Sequence, residues 1–244
     1  MTFPFDLSLI ELVFISVLLF ASAAVQGILG FGFAVISSPI LVQIEPLLVP
    51  QILSLLALPM AYRIYQREKK EVDWKPFKFL FLGRVIGGPL GLLLLINLNE
   101  RLLSISVGAI VFFAGVATFN EWTLERNNQT SWIAGSLSGI FAMIAGVGGP
   151  PIAILYRGAS GKEFRPSLNA VFTFGIIITL SLLFISGEIY RDHIVLILYL
   201  AIPVSLGLKL SSSLFSDVSD ATISKGVTYF SIISGLIVIF RNII

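Results

Sequence analysis

The chain has no cysteine and a single histidine, His193. Disulfides, thiolate metal sites and cysteine nucleophiles are therefore excluded, and a His-rich metal centre cannot be assembled. No HExxH or GxSxG run occurs. The nearest approach to a phosphate loop, Gly158-Ala159-Ser160-Gly161-Lys162-Glu163, lacks the first glycine at the required distance and the Ser or Thr after the lysine. Charge is scarce as well, at 12% of residues with a net value of +2, and nothing in it points to nucleic acid. These absences leave no enzyme site, metal or cofactor to expect. No Lys or Arg precedes the first apolar run, and Asp6 does, so that run lacks the basic leader of a secretory signal and reads as a retained span.

What the chain has instead is apolar length. Hydrophobic residues make up 56% of it, and the mean hydropathy is +0.95, values that place it among multi-pass membrane proteins of the cell membrane. Runs long enough to cross a core about 30 Å thick as helices recur throughout. They fall near residues 8–26, 47–66, 76–97, 102–120, 131–145, 166–186, 193–211 and 222–241. Residues 34–44 and 152–156 are apolar but too short to cross, and read as half-helices. The polar stretch 120–130, with Glu121, Glu125, Arg126, Asn127 and Asn128, divides the chain into halves. The expected fold is all-α, about eight spans in two homologous four-span repeats at 1–122 and 131–244, joined by a linker at 123–130, each repeat with a glycine-broken half-helix.

The breaks are Gln26-Gly27-Ile28-Leu29-Gly30-Phe31-Gly32-Phe33 and Ala145-Gly146-Val147-Gly148-Gly149-Pro150-Pro151. Aligning Gly30-Phe31-Gly32 on Gly146-Val147-Gly148 also brings Leu90-Gly91-Leu92 onto Leu206-Gly207-Leu208, at the same offset of 116 residues. Backbone without helical hydrogen bonds survives at membrane depth only where protein buries it or where it lines a wet cavity. Glycine lets amides approach a ligand closely, and N–H groups at a half-helix N-terminus carry partial positive charge, so the two breaks together could cradle a small anion. Gln26, Gly30, Phe31, Gly32, Phe33, Gly146, Gly148, Gly149 and Pro150 form this candidate site, with Ser37 and Ser38 one turn into the first half-helix as hydroxyl donors.

With its long helix ending in these glycines, then Ser37-Ser38-Pro39, and its second-half Gly-Val-Gly-Gly-Pro-Pro, the chain resembles the TauE/SafE family of sulfite and organosulfonate exporters over essentially its whole length. In that family a glycine-rich turn followed by a proline occurs once per half, which Pro39 and Pro150 match; Phe31 and Phe33 depart from it by interrupting the first glycine run. The resemblance implies a secondary transporter of small sulfur-containing anions. A passive anion channel, a carrier of a different small organic anion, or a non-transporting scaffold are the other readings, and proton coupling is left open.

Arg84 is the one basic residue well inside an apolar run, either a ligand or gate contact or a charge that snorkels or bridges to Glu45. Asn169 and Thr173 are four apart and share a helix face, where they either line the cavity or bond between helices. His193 reads as an exposed residue at a span end, Arg157 as a loop anchor or an anion attractor, and Gly83, Gly87, Gly91, Gly135 and Gly139 as packing glycines. Arg63, Arg67, Lys69, Lys70, Lys75 and Lys78 mark a cytoplasmic loop. Eight simple crossings then put both termini in the cytoplasm and make the repeats parallel, but turn Arg157, Lys162 and Arg165 outward; if the half-helices add a crossing, the repeats are inverted.

Overall fold

The computed structural model describes residues 4–243, so the outermost residues of the two expected repeats, 1–3 and 244, lie outside the described residues. Among the described residues there are ten α-helices and no strand: α1 Leu9–Leu29, α2 Phe33–Ile44, α3 Gln51–Glu68, α4 Trp74–Leu95, α5 Glu100–Phe119, α6 Asn128–Ala145, α7 Gly149–Leu155, α8 Gly161–Ile185, α9 Arg191–Leu214 and α10 Asp220–Ile243. Seven described segments are long and apolar enough to cross a membrane: α1, Pro46–Glu71 built on α3, α4, α5, α8, α9 and α10. The protein is a multi-pass membrane protein. The expected span at 131–145 exists as α6, but it is not one of the seven; its polar first turn and its small residues lower its hydropathy.

Local chemistry sets the helix ends. Ser8 and Glu11 form a capping box that opens α1. Asn99, Asn127 and Ser160 side chains accept the first free amides of α5, α6 and α8. The helices pack in pairs, α1 along α9, α4 along α6, α3 along α8 and α5 along α10. The α4–α6 seam has the packing glycines expected of it. A Cβ on Gly87 would collide with the Ser136 carbonyl, and one on Gly135 with the Leu80 carbonyl, so the two backbones touch.

Contacts at the helix ends sort the molecule into two faces. On one, Arg126 pairs with both Asp73 before α4 and Glu163 in the first turn of α8. There Arg165 lies 3.4 Å from Glu68 at the end of α3 and donates to the Ile28 carbonyl at the end of α1, and Arg157 pairs with Glu121 after α5. On the other face, His193 donates from Nε2 to the Leu47 carbonyl at 2.7 Å, Gln51 donates to the Glu188 carbonyl, and Arg101 donates to the Asn242 and Ile243 carbonyls.

Two expectations are corrected by this arrangement. Arg157, Lys162 and Arg165 share a face with Arg63, Arg67, Lys69, Lys70, Lys75 and Lys78, and the described chain ends lie on the opposite face. The reason is that α2 and α7 turn back: α1 runs to the basic face and α2 returns from it, whereas α6 runs away from the basic face and α7 returns to it. His193 is likewise corrected. It is fully buried, stacked on Tyr190 with the Phe5 ring tilted against it, and accepts the Tyr190 amide at Nδ1, which fixes the proton on Nε2.

Because backbone cannot yield to a new methyl group, Gly135→Ala should cost about 1–3 kcal/mol, an overpacking penalty. Gly226→Ala on α10, where a Cβ would meet nothing within 4 Å, should be neutral or stabilising. Thermal unfolding of both variants in detergent checks the pair.

Candidate functional site

A cavity of about 40 Å³ lies between the two glycine turns. It has room for about three waters, at roughly 10–15 Å³ each. Its walls come from Gln26 on α1, Phe31 to Val35 at the start of α2, Ser54 and Ala57 on α3, Arg84 on α4, Ala142 on α6, Gly146 to Gly149, and Phe172 and Ile176 on α8.

Each turn is made by its glycines. Gly30 at φ 80 ends α1 and Gly146 at φ 71 ends α6, both left-handed conformations that L side chains resist. Gly32 at φ 114 then starts α2, and Gln26 reaches across the turn so that its Oε1 accepts the Phe33 amide at 3.2 Å. The second turn offers fewer donors than expected. The Gly146 and Val147 amides are spent on the Ala142 and Phe141 carbonyls, and Pro150 and Pro151 have no N–H, so only Gly148 and Gly149 remain in that stretch.

Arg84 supplies the charge. It stands midway along α4, about 15 Å from either end at 1.5 Å per residue. The side chain is 2% exposed, so it does not snorkel, and it does not reach Glu45, whose carboxylate accepts the Leu47 amide instead. Nη1 donates to Ser138 Oγ at 3.1 Å, and that hydroxyl donates to the Gly148 carbonyl at 2.5 Å, tying the guanidinium to the second turn. Among the described residues no carboxylate pairs with Arg84. Room for it comes from Gly175 on α8, where a Cβ would overlap the guanidinium, and from Gly148, where one would sit 3.0 Å from Nη1.

The structure brings together Gln26, Phe31, Gly32, Phe33, Arg84, Gly146, Gly148 and Gly149. It places six other candidates outside the cavity wall. Gly30 faces Arg165 and Asn169, and Asn169 donates to its carbonyl at 3.0 Å; Thr173 in turn donates to the Asn169 carbonyl. Ser37 donates to Ser22, Ser38 is buried with no hydrogen-bond partner, and Pro150 lines cavities on the side of the turn toward the basic face. Ser138, Ala142, Phe172, Ile176 and Gly175 were not legible as site residues. Ser138 sits among packing glycines, and Gly175 looks like any small residue in a span until Arg84 is seen against it.

The match to a known family covers residues 14–238 and is to the sulfite exporter TauE/SafE model. The chain belongs to this family. TauE/SafE proteins are membrane transporters, which accords with the multi-pass fold. No curated protein and no solved structure matches the chain.

If the Arg84 side chain is what keeps residue 175 a glycine, Gly175→Ala should destabilise the wild-type background and cost much less in Arg84→Ala. The coupling expected of touching residues is about 0.5–3 kcal/mol. Additive losses in a double-mutant cycle by chemical denaturation would remove that constraint.

Proposed function

We propose that this protein is a secondary transporter, an exporter of small sulfur-containing anions such as sulfite or organosulfonates, with its substrate site in the Arg84 cavity. The observation that carries the reading is the buried guanidinium without a carboxylate partner. An ion taken out of water loses several kcal/mol of solvation, and guanidinium cannot shed its proton to escape the cost. A compact oxyanion beside Nη1, the Gly148 and Gly149 amides and the first turn of α2 would neutralise that charge at close range. Among the described residues no aspartate or glutamate lines the cavity, so a coupled proton would travel on the anion itself.

The two repeats, 1–122 and 131–244 around the 123–130 linker, are part of the same reading, with inverted orientation. Exchanging α1 with α6, α3 with α8, α4 with α9 and α5 with α10 turns the α1–α9 pair into the α6–α4 pair and maps α3–α8 and α5–α10 onto themselves, which supports a pseudo-two-fold. The basic face is then cytoplasmic. Alternating access follows from rocking of one repeat against the other around the cavity.

Ligand binding raises the melting temperature, by the equivalent of about 2.7 kcal/mol when ligand is at a hundredfold excess over Kd. Sulfite, thiosulfate or methanesulfonate should give such a shift, and choline none. Arg84→Met should lose the shift while melting no lower than wild type without ligand, because it removes a charge that has no carboxylate to neutralise it. A shift retained in Arg84→Met, or one given by choline alone, overturns the reading. Single cysteines at Glu71 and Glu163 should both label from the cytoplasm, and one at Glu188 from outside; labelling of the first two from opposite sides would restore parallel repeats.

A further inference from the structure

Three cavities meet at Phe31, one of them a small space of about 20 Å³ that also touches Val35, Thr118, Pro150 and Ala153. Toward the basic face from the Arg84 cavity lies a second of about 210 Å³, bounded by Thr118 on α5, Pro150 and Ala153 on α7, and Arg157 and Phe164 beyond it. Phe31 is the residue that lines both. Its half-buried ring packs edge-on against Phe164 at 6.0 Å, and Phe164 leans on Tyr156 at 6.3 Å. Arg157 is the charged residue on the vestibule wall.

The backbone beside Phe31 is a glycine turn. Gly30 and Gly32 flank it at φ 80 and φ 114, and glycine takes either hand of φ at little cost. The opposite wall is stiff, since Pro150 and Pro151 fix φ at the start of α7. The Phe31 ring therefore stands on a glycine turn across from a proline-stiffened wall, with the Arg157 guanidinium on the vestibule side and that of Arg84 on the inner side. Arg157 donates to the Thr118 carbonyl and pairs with Glu121 at 3.6 Å, which anchors it at the vestibule wall.

We infer that Phe31 is the gate between the Arg84 cavity and the basic face, and that anions pass this face through the Arg157 vestibule. The inference rests on the cavity being the substrate site and adds the route and the moving part.

The absence of cysteine gives a clean background for testing it. Ala153→Cys lines the vestibule and Ala57→Cys the inner cavity. With a charged, membrane-impermeant methanethiosulfonate applied to the basic face, Ala153→Cys should react readily in every background. Ala57→Cys should react slowly with Phe31 present and at least about tenfold faster in Phe31→Ala, the change given by roughly 1.4 kcal/mol off an opening barrier. Phe31→Trp should bring no acceleration. Equal Ala57→Cys rates in all three backgrounds, or acceleration only from the opposite face, overturns the gate. Phe31→Leu, and an unchanged Ala153→Cys rate, guard against misfolding. Methanesulfonate, which does not consume the reagent, separates the two ideas: failure to protect Ala57→Cys counts against the substrate site, while the rate pattern alone decides the gate.

Discussion

An arginine charge held at the middle of a membrane protein without a carboxylate beside it constrains everything around it. Arg84 can remain there only because its environment is polar in a few chosen directions and absent in others. Ser138 takes one N–H and passes the contact to the Gly148 carbonyl, and Gly175 leaves the volume of a side chain open for the guanidinium. Each condition fixes another element. Ser138 must stand at the α4–α6 seam, which requires those backbones to touch, and the Gly148 carbonyl must turn back toward α6, which requires α6 to end at Gly146. The site is therefore a consequence of close helix packing as much as of the glycine turns.

The parts legible in the sequence were those that leave a local signature. Apolar length marked the helices, and clustered glycines marked the two turns. The parts that were not legible depend on what a residue meets across the fold. Arg84 shows no hint in sequence that it avoids Glu45 and bonds Ser138. His193 sits among charges at Arg191, Asp192 and Glu188, yet it is sealed between Phe5, Tyr190 and the Leu47 carbonyl. Counting eight simple crossings set Arg157 to Arg165 on the face opposite the loop after α3, whereas they share it, because the count depends on whether a short helix turns back, and a dozen apolar residues do not say.

Anion recognition by amides alone would have made the two turns equivalent, and the turns are not equivalent. The α2 start has its first amide capped by Gln26, while α7 begins with two residues that have no amide to give. At the repeat offset, Gln26 corresponds to Ala142, Phe31 to Val147 and Arg84 to Leu200. The first half thus contributes the cap, the bulky ring and the charge, and the second contributes small residues and two free amides. One side of the cavity carries the charge and the cap, and the other the small residues of the second turn. For the oxyanion proposed above that would suffice, with one fixed positive charge and a few donors placed by the backbone.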